Sequence, residues 1–294
     1  MGDPDCIAVD WGSTNRRVYL LGRDGGILDG LRDDVGIKAM HGRSFADEAR
    51  DLRGRFGEWP MICAGMVGSD RGWAPVPYLD CPAGLADLAT ALHWVEPGRT
   101  AIVPGLKALA SGKGDVMRGE EVQILGAVRA GLVPADARIC QPGTHCKWAQ
   151  VTGGRLATFR TTMTGELFAL LRDHSLLADI AAGEPAIGPA FDDGLADARE
   201  SRLLGDLFRV RASGLLGLRS HADAASYLSG LLIGSDVREQ NLNGREEMFV
   251  LADPAFGEFY RRALEVHGIM SQIVDSRSAF VAGIAHIREL ARDA

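Results

Sequence analysis

The sequence has no excess of positive charge. Among 294 residues, 32 Lys and Arg stand against 39 Asp and Glu, a net charge of −7. The basic residues are scattered, with no stripe to neutralise a phosphate backbone, so nucleic acid is not an expected partner. No apolar run approaches the roughly 20 residues that span a bilayer. The acidic opening Gly2-Asp3-Pro4-Asp5 lacks the basic and apolar regions of a secretory signal. A cytoplasmic protein without membrane association is the expectation. The five cysteines (Cys6, Cys63, Cys81, Cys140 and Cys146) are odd in number and form no C-x-x-C pair. That excludes a disulfide framework and leaves reduced thiols. Neither an H-E-x-x-H helix nor a cysteine array offers a resident transition-metal site. The G-x-x-x-x-G-K-S/T loop is missing, and the glycines at 22–26 mark a hairpin turn and not a dinucleotide fingerprint before a helix.

What the chain does contain is one device written twice. Ile7-Ala8-Val9-Asp10 runs an apolar strand into the turn Gly12-Ser13-Thr14-Asn15, a second strand leaves through Val18 to Leu21, and Asp24-Gly25-Gly26 turns again. Ile139-Cys140-Gln141 runs into Pro142-Gly143-Thr144-His145, Trp148 to Val151 leaves, and Thr152-Gly153-Gly154 turns. Each copy predicts strand, small-residue turn, strand, Gly-Gly hairpin and strand. Such turns aim backbone N–H groups and hydroxyls at anions. Two of them facing one polyphosphate point to a nucleotide-dependent phosphotransferase with a cleft between two similar halves. Hydrophobic content of 46% with 24% charged residues fits a packed enzyme.

Between the copies, residues 44–57 predict a surface helix and Met61 to Ala64 a buried strand ending at Gly65. The loop from Gly65, Met66 and Ser69 through Trp73 to Tyr78 lies at that strand's carboxyl end, where open α/β sheets bind ligands, so substrate contacts are expected there. Leu125, Val128 and Leu132 recur at helical spacing after Glu120-Glu121, which places both carboxylates at a helix start. Beyond the second copy, Thr164-Gly165-Glu166 reads as the cap of a helix carrying Leu167, Leu170, Leu171 and His174. Helical segments follow at 203–208, 227–237, 256–266 and 280–290, with a strand at 249–251.

Phosphoryl transfer needs charge neutralisation, an in-line acceptor hydroxyl and a carboxylate to take its proton. Asp10 is placed to orient a hydrated Mg²⁺, or else to cap its turn. Gly12, Ser13, Thr14 and Asn15, and again Gly143, Thr144 and His145, are placed to donate to phosphate oxygens, or simply to turn the chain. Lys147 would meet phosphate or solvent. Glu120 and Glu121 offer a base, or a pair that complements the helix dipole. Arg17, which alternates with Asn15, would meet an anionic substrate or lie on the surface. Cys146 reads as a small residue filling a tight loop, with a nucleophile or a metal ligand as the alternative.

Six ordered blocks carry a resemblance: Asp10 to Asn15 with Arg17, Gly65 to Ser69 with Gly72-Trp73, Val103 to Leu106, Asp115 to Glu121, Pro142 to His145 with Lys147-Trp148, and Met163 to Phe168 with His174-Ser175. Together they resemble the 2-dehydro-3-deoxygalactonokinase family, a match that thins after about residue 177. The resemblance implies the fold of the sugar kinase, heat-shock chaperone and actin superfamily. That fold is α/β, with two ribonuclease H-like (actin-like ATPase) domains flanking a nucleotide cleft that holds ATP and Mg²⁺. The expected domains are 1–120, for substrate and phosphate, and 121–294, for nucleotide. The implied reaction moves the γ-phosphoryl group of ATP to the 6-hydroxyl of the sugar acid 2-dehydro-3-deoxy-D-galactonate in galactonate breakdown. Glu120 or Asp115 would be the base, Glu120 preferred, because superfamily sugar kinases place it just before the helix that leads to the second phosphate strand. Leu232 to Ser235 and Ala252 to Pro254 would meet adenosine. Ser13 stands where the family more often has threonine, and Cys146 where serine is expected. The rivals are a kinase of another sugar acid or a hexose, and an ATP-driven switch protein; homo-oligomerisation is left open.

Overall fold

A computed structural model describes residues 2–40, 42–110, 112–200, 202–242 and 247–292. In chain order the elements are β1 (Pro4–Trp11), β2 (Arg16–Gly22), β3 (Ile27–Asp33), α1 (Phe45–Phe56), β4 (Met61–Gly65), β5 (Leu79–Asp80), α2 (Leu85–Thr90), β6 (His93–Glu96), β7 (Thr100–Ile102), β8 (Leu106–Ala110), β9 (Lys113–Met117) and α3 (Glu120–Arg129). They continue as β10 (Ala137–Gln141), β11 (Cys146–Thr152), β12 (Arg155–Thr162), α4 (Thr164–His174), α5 (Pro189–Ala198), α6 (Leu203–Leu215), α7 (His221–Glu239), β13 (Met248–Ala252), α8 (Pro254–Val266), β14 (Ser271–Asp275) and α9 (Ser276–Arg292). Among the described residues no helix is long and apolar enough to cross a membrane.

Two compact units divide the chain. The first takes residues 1–136, 150–159 and 275–294, and the second takes 137–149 and 160–274. This differs from the expected boundary at 120/121. The reason is packing: α3 lies along α9, so the C-terminal helix returns to the first unit and holds α3 there.

In the first unit the sheet order is β3-β2-β1-β4-β7-β6. β1 pairs antiparallel with β2 and parallel with β4, so the opening hairpin is continued by crossover strands. Ile7, Val9 and Trp11 alternate onto one face and pack with Leu52 and Phe56 of α1. Trp11 is fully buried, its indole N–H donating to the Val35 carbonyl at 2.8 Å. Arg16 sits over its ring at 4.9 Å and is itself buried, paired with Asp33 and Glu48. Alternation then sends Asp10 and Arg17 to the opposite face.

The other large sheet has the order β12-β11-β10-β13-β14. β10 runs parallel to β13, and Cys140, Trp148, Val250, Tyr260 and Leu264 share a core. Helix α7 is buried from Ala224 to Val237, which is why its sequence shows apolar character all round and little amphipathic pattern. The expected helices at 203–208, 227–237, 256–266 and 280–290 are the interiors of α6 to α9. Helices α2 and α5 and strand β14 were not anticipated.

Candidate active site

Both turns expected to take anions form, and they are built alike. At 12–15 the carbonyl oxygens of Gly12, Ser13 and Thr14 accept from the N–H groups of Ile37, Lys38 and Gly36 at 3.0, 3.0 and 3.1 Å, and Gly12 N–H donates to Asn15. With those oxygens taken, the N–H groups of Ser13 and Thr14 have no backbone partner among the described residues. Unpaired amides beside small hydroxyl residues make a concavity suited to an anion. The turn is pressed by Gly36, where a Cβ would lie 2.4 Å from the Thr14 carbonyl carbon. At 142–145 the Thr144 carbonyl accepts from Glu166 N–H at 2.9 Å. A Cβ on Gly165 would lie 2.3 Å from the Gly143 oxygen. The N–H groups of Gly143, Thr144 and His145 likewise have no backbone partner among the described residues. Each turn is thus oriented by one glycine-bearing segment that engages its carbonyls.

Asp10 and Arg17 are directly opposite in the β1–β2 ladder, and their side chains meet at 3.2 Å. Burial pushes the Asp10 carboxyl above its ordinary range; the Arg17 guanidinium opposes this, and the negative charge of Glu120 adds to it. Glu120 therefore lies within electrostatic reach of Asp10. Glu120 opens α3 and accepts from Arg118 N–H at 3.0 Å. Just before it, Gly119 has φ +108, a conformation that L side chains rarely adopt. Its N–H lies 2.8 and 2.7 Å from the two carboxyl oxygens of Glu121. Glu121 is fully buried, and burial, with Glu120 beside it, pushes its carboxyl up to about 8. The pair offered by the sequence thus splits: Glu121 locks the loop from beneath, and Glu120 is the less buried member. Asp115 sits on β9, opposite Ala108, and its carboxylate accepts from Val116 N–H.

The 65–78 loop closes on the same place. A Cβ on Gly119 would stand 3.0 Å from the Gly65 Cα. Arg118 donates to the Val76 carbonyl at 2.6 Å and lies over the Tyr78 ring at 4.2 Å. Met66 begins a short 3-10 turn, the Ser69 hydroxyl donates to the Met66 carbonyl at 2.7 Å, and Trp73 stacks on Phe45. Ser69 and Trp73 shape this loop from inside. Sequence reasoning did not single out Arg118; its signal is an arginine set between a strand and a glycine that must hold positive φ.

In the second unit Lys147 is buried, and its ammonium donates to the Thr161 hydroxyl at 3.0 Å, which removes the solvated reading. His145 Nε2 lies 2.8 Å from the Glu166 carboxylate. Thr164 does not cap α4: its hydroxyl donates to Asp236 at 2.7 Å, and Met163 takes the cap position. The Tyr260 hydroxyl donates to the same oxygen at 3.2 Å, and the other oxygen of Asp236 accepts from Trp148 at 2.8 Å. Asp236 was missed; a single carboxylate within the otherwise apolar and small-residue stretch 224–237 of α7 was its signal. Cys146 is fully buried 3.6 Å from Cys140, and burial raises its thiol, so it fills space and is no nucleophile. A pocket of about 80 Å³, bounded by Gly165, Phe168, Leu232, Ile233, Phe256 and Tyr260, opens beside the start of α4.

The profile of the family described as 2-keto-3-deoxy-galactonokinase matches residues 10–287. The chain belongs to that family. It is 35% identical to the 2-dehydro-3-deoxygalactonokinase of Escherichia coli strain K12 over 288 residues, 96% of each protein. A crystal structure from Sinorhizobium meliloti, provisionally named 2-dehydro-3-deoxygalactonokinase, superposes with a TM-score of 0.88 at 33% identity, covering 96% of this chain and 97% of that one. The activator of 2-hydroxyisocaproyl-CoA dehydratase from Clostridium difficile, solved with bound ADPNP, gives a TM-score of 0.54 at 12% identity over 99% and 96% of the two chains. That likeness shows the shared fold alone, a two-domain α/β fold of the actin-like kind.

Proposed function

We propose that the protein is a cytoplasmic kinase of galactonate catabolism that moves the γ-phosphoryl group of ATP to the 6-hydroxyl of 2-dehydro-3-deoxy-D-galactonate. Family membership supports the substrate, and one observation carries the chemistry: Glu120, held at a helix start beside Asp10 and the 65–78 loop. In this reading Glu120 accepts the proton of the attacking 6-hydroxyl. Arg17, tethered to Asp10 yet 43% exposed, meets the sugar-acid carboxylate. Gly65, Met66, Ser69 and Trp73 form the loop that shapes the acceptor site.

The residues fit ATP and Mg²⁺. The amides of both turns and the hydroxyls of Ser13, Thr14 and Thr144 are donors for phosphate oxygens, with Asn15, His145 and Lys147 beside them. Among the described residues no cluster of three or more His, Cys, Asp or Glu would hold a metal unaided. A cation at Asp10 would therefore be completed by phosphate oxygens and water, the usual manner of Mg²⁺. There it would neutralise charge on the transferred group. In this reading the adenine ring would lie against the apolar pocket walled by Leu232, Ile233 and Phe256. Ala252 and Asp253 lead into the helix that carries Phe256.

Incubation with ATP, Mg²⁺ and the sugar acid, followed by phosphorus NMR and mass spectrometry, tests the proposal. A phosphomonoester on the terminal carbon is expected. An unphosphorylated sugar acid after full consumption of ATP would overturn it.

A further inference from the structure

Arg118 joins two unlike parts of the candidate site. Its backbone N–H donates to the Glu120 carboxylate at 3.0 Å. Its side chain meets both legs of the 65–78 loop. On the outgoing leg Nη1 lies against Gly68, where a Cβ would stand 2.8 Å away. On the returning leg Nη2 donates to the Val76 carbonyl at 2.6 Å, and the guanidinium lies over the Tyr78 ring at 4.2 Å. The legs are tied to each other where Val76 N–H donates to the Gly68 carbonyl at 3.0 Å, so the guanidinium sits at the neck of the loop that carries Ser69 and Trp73.

Packing alone does not call for an arginine here. Arg118 is 8% exposed, and its Nε and Nη1 are buried with no hydrogen-bond partner among the described residues. An apolar side chain of similar volume would fill the space without the desolvation of a cation. What only a guanidinium supplies is a planar fork, whose face lies on an aromatic ring while its edge donates to a carbonyl. With Nε and Nη1 closed off and Nη2 committed to Val76, the group acts through the loop and not on a substrate. We propose that Arg118 is a positioning residue for the transfer: it fastens the neck of the acceptor loop to the segment that carries Glu120, and so sets the acceptor hydroxyl against the base. The proposal rests on the reading of 65–78 as the acceptor loop and of Glu120 as the base. The start of the loop is fixed separately, by the close approach of Gly65 to Gly119. Loss of the arginine therefore frees the neck while the loop stays attached at its origin.

Steady-state kinetics with the sugar acid and ATP varied in turn, beside urea unfolding of each variant, tests the proposal. Arg118→Met should unfold near the wild-type midpoint, yet lower kcat/KM for the acceptor by about 100-fold and leave the KM for ATP within about twofold. Arg118→Lys keeps the charge without the planar fork and should still lie about tenfold or more below wild type for the acceptor. Tyr78→Leu added to Arg118→Met should remove little more, because both side chains serve one fastening. The same split read on Arg118→Lys decides the question if the methionine variant does not fold. Turnover by wild type, slow turnover by Glu120→Gln and an acceptor kcat/KM unmoved in the folded Arg118 variants would overturn the proposal and leave the reading beneath it standing. Equal rises in KM for ATP and for the acceptor, or full activity in Arg118→Lys, would also overturn it. No phosphorylation of the sugar acid by wild type would overturn that reading, and the proposal with it.

Discussion

The turn at 12–15 in the first unit and the turn at 142–145 in the second share a scaffold and differ in what surrounds it. Each has carbonyls engaged by a neighbouring segment, amides left for an anion, and a glycine, Gly36 or Gly165, where a side chain would collide with the turn. Around the first stand Asp10, Glu120 and Glu121, two of them with carboxyls raised by burial. Around the second stand a buried lysine, a histidine held by Glu166, and an apolar pocket. Raised carboxyls are thus concentrated in one copy, and a buried cation and an apolar pocket in the other. The backbone geometry is common to both, while the side chains around it differ.

The largest expected effect breaks the asymmetry. Glu120→Gln should lower kcat by about 100-fold or more with little change in the KM for ATP, because the lost group acts only on the acceptor proton. Asp115→Asn should stay within a few-fold of wild type by the same assay; equal losses in both variants would return the base to an open question. The symmetric part is probed by Gly36→Ala and Gly165→Ala. Each new methyl would overlap backbone, at 2.4 and 2.3 Å, and should raise the KM for ATP by about tenfold or more. A variant with unchanged KM would remove its turn from phosphate binding.

Arg17→Ala should weaken the sugar acid by about tenfold without loss of folding, read from the KM for the acceptor alone. Asp236→Asn should cost the second unit roughly 2–4 kcal/mol in urea unfolding, since Trp148, Thr164 and Tyr260 all converge on one carboxylate.

The last effect is a pH slope, small over any one pH unit. Glu121 is raised from an ordinary 4.5 to about 8 in the folded protein, so the fold holds a proton that the unfolded chain has released. Its contribution is fully present below about 4.5 and is lost as pH rises through about 8, at up to roughly 1.4 kcal/mol per unit. Glu121→Gln should flatten that part of the stability profile; a slope identical to wild type would place the buried proton elsewhere.

The sequence revealed the repeated turns because their small residues, flanking apolar strands and Gly-Gly hairpins are local signals. Glu120 at a helix start was legible for the same reason. What the sequence concealed depends on contacts distant along the chain. Nothing near Gly36 says that it presses on Thr14, and nothing near Asp236 says that it gathers Trp148 and Thr164 from 88 and 72 positions away. The division into units was hidden likewise, since it turns on α9 returning to pack along α3. The burial of Lys147 also depended on tertiary packing that its neighbours in sequence do not report.

The most direct test of the account is ADP release by the purified protein with ATP and Mg²⁺, with and without 2-dehydro-3-deoxy-D-galactonate, beside its gluconate epimer and a panel of hexoses. The account predicts release that depends on the galactonate compound and is far slower with the others. Release at the same rate whether or not any sugar is present would contradict it and indicate an ATP-driven switch.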